Sequence, residues 1–234
     1  MELGKRLSAV LGLLPSLKTI ADIGTDHAYL PVKAVEMGKA QYAIASDNKE
    51  GPCEAARKTI AQHQLTDKIQ VRQGDGLLSL APGEVEGIVL AGMGGLTMVS
   101  ILTQGLAVLQ APNLKALVLQ PQSDGASVRQ WAENAGFAIY GEELAQEGDK
   151  LYEMFVLRPQ DGYVYPGKTY EVGDLLITQK HPLLKLRLEK LLASCLVALE
   201  GKRRSKQSLN SKEYVELENK YKVLKEIYHE NYSC

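Results

Sequence analysis

The sequence predicts an α/β fold: a seven-stranded, mostly parallel sheet with helices on both faces, followed by a helical hairpin. Three observations lead there. Short β-rich runs alternate with helical stretches through the first 134 residues, and all but the last of these runs end in Gly or Asp. Two further runs, close together, then flank a Gly/Asp turn. Beyond a Gly/Pro/Tyr-rich linker, two apolar stripes recur at spacings of 3 and 4.

In order, a charged N-terminal helix carries Lys5 and Arg6 and precedes a strand at 19–24, "TIADIG". A helix is expected over 29–37, a strand at 42–47, a helix over 52–63 and a strand at 69–74. The strand "GIVLAG" at 87–92 leads to a helix over 97–109, and "ALVLQP" at 116–121 to a helix over 126–134. These five strands should be parallel, because each crossover is long enough to hold a helix. "FAIYGEEL" and "KLYEMFVLRP" are joined by "AQEGD", and should pair antiparallel at one edge. After "RPQDGYVYPGK", Leu184, Leu188, Leu191, Cys195 and Leu199 form one stripe, and Tyr214, Leu217, Tyr221, Leu224 and Tyr228 another. The polar segment "EGKRRSKQSLNS" between them turns the chain back, giving a sheet domain over 1–160 and a helical hairpin over 161–234 with basic residues at its tip.

Composition bounds the function. The chain has 234 residues, 45% hydrophobic and 24% charged, enough for one ordinary core and a small appendage. The N-terminus is charged and lacks a small-residue cleavage site, so it makes a poor secretory signal. The apolar run 183–199 is broken by Lys185, Arg187, Glu189 and Lys190, which excludes a membrane span. Cys53, Cys195 and Cys234 lie far apart without a CxxC pair, and His63, His181 and His229 have no partners at metal spacing. We therefore expect no metal and a reducing, cytoplasmic setting; the sequence leaves the oligomeric state open, with a monomer slightly favoured. Residues 1–162 carry 14 Lys+Arg against 19 Asp+Glu, net −5, whereas 163–234 carry 13 against 9, net +4. A basic C-terminal piece suits a polyanion, although an ordinary solvated helical face would look the same.

The ligand follows by elimination from "ADIGTDHAYLP", residues 21–31. In a doubly wound sheet, ligands sit beyond the carboxyl ends of the strands. A dinucleotide loop needs GxGxxG to approach pyrophosphate, but here the second and third glycine positions are Asp26 and Tyr29. Asp22 and Asp26 would repel a phosphate and attract a cation. S-adenosylmethionine (SAM) has a sulfonium, an ammonium and no phosphate, so Asp22 and Gly24 suit it. Asp47, 25 residues after Asp22, is placed for ribose hydroxyls, and Asp75 for an adenine amine; their neighbours Asn48 and Gly76 are counted with the site. The alternative for Asp26 is an N-cap in a purely structural turn.

"ADIGTDHAYLP", "ASDNKEGPCEAA", "GDGL", "AGMGG" and "LQP", in this order and followed by a basic helical hairpin, resemble the TrmK family, bacterial SAM-dependent tRNA adenine-N1 methyltransferases acting at position 22 of tRNA. The resemblance spans the sheet domain and, more loosely, the hairpin. It implies a Rossmann-like seven-stranded class I methyltransferase domain with a C-terminal coiled-coil domain, and a tRNA partner. Where the family often reads Gln-Pro-Asn, this chain has Gln120-Pro121-Gln122, which leaves the role of Gln122 open.

Enzymes that methylate exocyclic amines usually carry an Asn/Asp-Pro-Pro-aromatic segment after the fourth strand. Gly92-Met93-Gly94-Gly95 stands there instead, giving a flat base room to approach, with Met93, Gly94 and Gln122 as substrate contacts. Asp26 is the candidate to stabilise charge developing on the base or to hold its amine, with His27 and Tyr29 to orient or stack on it. Lys5, Arg6, Lys202, Arg203 and Arg204 are candidate phosphate contacts. Three other readings stay open: a nicotinamide oxidoreductase, disfavoured by the missing phosphate loop; a noncatalytic RNA-binding module; and a small-molecule methyltransferase, which would not need a basic hairpin.

Overall fold

A computed structural model describes residues 2–203 and 211–232. They divide into two compact units, one ending at Tyr165 and the other beginning at Pro166. The first unit holds a seven-stranded sheet in the order β3-β2-β1-β4-β5-β7-β6. Its strands are β1 (Leu17–Ile23), β2 (Ala40–Asp47), β3 (Ile69–Gln73), β4 (Gly87–Met93), β5 (Ala116–Pro121), β6 (Phe137–Glu147) and β7 (Lys150–Pro159). Strands β1 to β5 are mutually parallel, while β7 runs antiparallel to both β5 and β6. The connecting hairpin is tighter than expected: Glu147 pairs with Lys150, so only Gly148 and Asp149 turn the chain, with Gly148 at φ +55°. Strand pairing outweighs the polar character of "AQEGD", because every added pair satisfies backbone groups.

The chain order β1-β2-β3, then back to β4, puts helices on both faces. On one side α1 (Lys5–Leu13) packs on β5, β6 and β7, and α2 (Tyr29–Glu36) and α3 (Glu50–Gln62) pack on β1, β2 and β3, burying Val10, Leu30, Val32 and Ile60. On the other α4 (Gly95–Gln104) and α6 (Gly125–Asn134) bury Met98, Leu102, Val128 and Trp131 against β4 and β5. The whole of β5 is buried, which is why "ALVLQP" reads as a continuous apolar run up to Gln120. The single helix expected over 97–109 is broken: α4 stops at Gln104 and a short α5 (Leu106–Leu109) follows. Gly105 separates them, and Leu77 packs so closely on it that no side chain would fit. A short 3₁₀ turn, Gly76–Ser79, presents Leu77 there.

The second unit contains α7 (Asp174–Thr178), α8 (Leu184–Arg203) and α9 (Lys212–Tyr232). Lys202 meets Glu213 at 2.6 Å and the Tyr228 hydroxyl donates to Glu189 at 3.2 Å, so α8 and α9 run antiparallel. Leu184, Leu188, Cys195, Leu199, Tyr214 and Leu224 are buried along the seam, with Leu191, Leu217, Tyr221 and Tyr228 half-buried. Ile227 joins them from outside the expected stripe. Among the described residues, no helix is long and apolar enough to cross a membrane.

Candidate active site

The C-terminal ends of β1, β4 and β5 enclose a cavity of about 260 Å³ lined by Arg6, Asp22, Thr25, Asp26, His27 and Tyr29, with Gly24, Gly92 and Gln122 at its walls. The chain leaves β1 through Gly24 at φ +78°, where Met93 Cε packs so close that a Cβ would lie 2.6 Å from it. Glycine adopts that dihedral without strain. Gly92, at φ +85°, is a bulge that shifts the β4–β5 register between Ala91 and Met93. Such bulges re-aim a strand end beside a site.

Asp22 is 7% exposed. Burial pushes its carboxyl up to about 6; Thr25 and the Arg6 guanidinium pull the other way, and Asp47 adds to the rise. Thr25, 2% exposed, exerts its pull although its hydroxyl oxygen meets no regular hydrogen-bond geometry within the chain. Asp26 is exposed and does not cap α2. The N-cap is Ala28, in left-handed conformation at φ 55° with no side-chain cap. That disposes of the capping alternative and leaves Asp26 facing the cavity. His27 Nε2 lies 3.6 Å from Asp26 Oδ2, and the His27 and Tyr29 rings stack at 5.1 Å with planes 10° apart.

Other expected residues lie along the same edge of the sheet without lining this cavity. Asp47 ends β2 and its Oδ1 accepts from the Lys49 backbone at 2.8 Å, with Asn48 exposed beside it. Asp75 is exposed and opens the 3₁₀ turn with Gly76. Met93 accepts at its carbonyl from the Gln122 backbone at 2.8 Å, and Gly94 is the N-cap of α4. Lys5 is exposed, but Arg6 turns inward: its Nη1 donates to Gln120 Oε1 at 2.7 Å. In the other unit, Lys202 pairs with Glu213, and Arg203 Nε donates to the Tyr214 hydroxyl at 3.1 Å, so both brace the hairpin. Arg204 lies outside the described residues. Sequence reasoning passed over Thr25 and Gln120. Gln120 did leave a signal, a polar side chain at the end of an otherwise apolar strand.

The cavity offers what a cationic, flat-faced ligand needs: a buried carboxylate, a stacked aromatic pair and a glycine-lined wall. A larger cavity of about 610 Å³, near the N-terminal ends of β1 and β5, has no carboxylate in its lining. Among the described residues no cluster could hold a metal ion.

A sheet ordered 3-2-1-4-5-7-6 with acidic strand ends and no phosphate loop is that of a Rossmann-like methyltransferase, and a methyltransferase domain family matches residues 3–155. The chain is 33% identical over 233 residues to the tRNA (adenine(22)-N(1))-methyltransferase of Bacillus subtilis, covering 97% of both chains. It superimposes on the structure of the B. subtilis m1A22 tRNA methyltransferase TrmK with a TM-score of 0.88, at 31% identity over 97% of this chain and 99% of that one. Streptococcus pneumoniae Sp1610 in complex with S-adenosyl-L-methionine matches with a TM-score of 0.85, at 32% identity over 97% of this chain and all of that one. The chain belongs to the tRNA (adenine(22)-N(1))-methyltransferase family, TrmK.

Proposed function

We propose that this chain transfers a methyl group from SAM to N1 of an adenine in tRNA, at position 22. The observation that carries the reading is the cavity in which a buried carboxylate, Asp22, and a stacked His27–Tyr29 pair share one wall with the Gly24 turn. Asp22 and Thr25 would hold the amino-acid end of the donor, and Asp47 and Asp75 its ribose and adenine. When bound, SAM supplies an electrophilic methyl group whose transfer leaves positive charge on the base. Adenine N1 has an in-plane lone pair and needs no base to expose it, so positioning and electrostatics suffice. Asp26 stands where a carboxylate can hold the exocyclic amine and stabilise that charge. Tyr29, 40% exposed, offers its ring face to a base turned out of the tRNA stack. The Gly92–Gly95 turn leaves room for the base edge. The helical hairpin and Lys5 would meet tRNA phosphates. The test incubates the protein with labelled SAM and unmodified tRNA, then digests the RNA. The expected product is 1-methyladenosine at position 22; tRNA binding without methyl transfer would leave a noncatalytic module.

A further inference from the structure

We propose that Gln120 and Arg6 form a positioning pair: Gln120 fixes the Arg6 guanidinium beside Asp22 and so keeps this buried carboxylate in the charged form that a cationic donor requires. The inference rests on the reading of Asp22 as donor-binding.

A cation meant for an RNA backbone needs reach and mobility, and Arg6 has neither. Its Nη1 donates to Gln120 Oε1 at 2.7 Å, and Gln120 is fully buried. The far end of that amide is also fixed, Nε2 donating to the Pro121 carbonyl at 2.8 Å. Since arginine offers only donors, the amide must present its oxygen to Arg6. The helix that carries Arg6 is fastened as well. The Arg6 backbone N–H, in the first turn of α1, donates to Glu147 Oε1 of β6 at 3.0 Å, where a carboxylate complements the helix's positive end. At Gly4, the N-cap, an ideal Cβ would lie 2.5 Å from that oxygen, so the carboxylate sits directly against the start of the helix. The guanidinium carbon lies 5.8 Å from the Tyr152 ring centroid on β7. Strands β5, β6 and β7 thus aim one side chain into the cavity.

Asp22 feels charges from several elements. Arg6 from α1 favours its ionised form and so does Thr25, while Asp47 from β2 opposes it; Asp26 and His27 face the same cavity from the loop. Burial is the largest influence, and the balance of all of them leaves the carboxyl at about 6, close to neutrality. Removing Arg6 would therefore tip the balance towards the protonated form between about pH 5 and 7.

The test is calorimetric titration of SAM into the full-length chain between pH 5 and 7.5, with folding checked by thermal unfolding. Wild-type affinity should fall as pH drops through about 6. Arg6→Met should move that fall upward by about one pH unit, a loss of about twofold at pH 7 that grows to about tenfold at pH 5, while Arg6→Lys stays near the wild-type profile. If Arg6→Met does not fold, Arg6→Gln carries the same expectation. An unchanged pH midpoint, or a uniform loss at every pH, overturns the pair. Asp22→Asn separates the two readings. Unchanged SAM affinity in that variant overturns Asp22 as a donor ligand, whereas weakened affinity with an unmoved Arg6→Met profile overturns the pair alone.

Discussion

Asp22 shows how a binding residue burdens the fold that carries it. Its carboxyl, near 3.8 in an unfolded chain, rises to about 6 on burial. The folded state therefore holds the proton to higher pH: the stabilising contribution is complete below about 3.8 and is lost as pH rises through 6. A rise of that size corresponds to at most about 3 kcal/mol. Asp22→Asn should accordingly stabilise the unliganded protein by about 1–3 kcal/mol at pH 8 and by little at pH 4, read from denaturant midpoints. No gain at pH 8 would contradict the burial argument. Asp26 has the opposite character, exposed and close to His27. Asp26→Asn should lower the single-turnover rate roughly 10- to 1000-fold with tRNA affinity little changed; a wild-type rate would reduce it to a turn residue. Both carboxylates were legible from sequence, because an acid at a strand end (Asp22) and an acid where a phosphate loop needs glycine (Asp26) are local signals. The inward turn of Arg6 was not, since Gln120 and Glu147 lie 114 and 141 residues away along the chain.

Among the elements, α6 and the β6–β7 hairpin are joined by a buried charge cluster. Arg129, fully buried, donates to Glu142 of β6 and Glu153 of β7, each at 2.9 Å, and its guanidinium lies over Phe155. Burial disfavours the arginine's charge, but the two carboxylates more than restore it. Arg129→Met leaves two carboxylates buried together, and should lower unfolding free energy by about 3–5 kcal/mol. Equilibrium denaturation measures it, and a loss under 1 kcal/mol would show that the cluster relaxes to water. The strands themselves were readable, because buried parallel strands declare themselves as apolar runs between Gly and Asp. What escaped was set by contacts between elements: the break at Gly105 forced by Leu77, the left-handed Ala28 before α2, and Ile227 on the seam.

For the whole molecule, charge is divided: net −5 over residues 1–162 and +4 beyond. If the basic hairpin grips tRNA, replacing Lys202, Arg203 and Arg204 by Ala should flatten the salt dependence of tRNA binding. Each lost phosphate contact removes about 0.7–0.9 from the log–log slope. Lys202 and Arg203 already have partners on α9, so the change should fall short of three full contacts, with SAM affinity unaltered. An identical slope would shift phosphate recognition to Lys5.

The attachment of α1 to Glu147 also bears on the order of assembly. A ribosome releases Arg6 among the first residues, yet the carboxylate that caps its helix lies on β6 and the ring beneath its guanidinium on β7. Asp22, Gly24 and the aromatic pair lie early in the chain and need only β2 and β4 beside β1 to take their places. Their cation arrives last, when the final hairpin docks on β5 and recruits the N-terminus to it. A newborn chain should thus cross a last threshold in donor affinity, most visible near pH 6, after about 160 residues have emerged. Stalled nascent chains of graded length, assayed for SAM retention, would display that threshold.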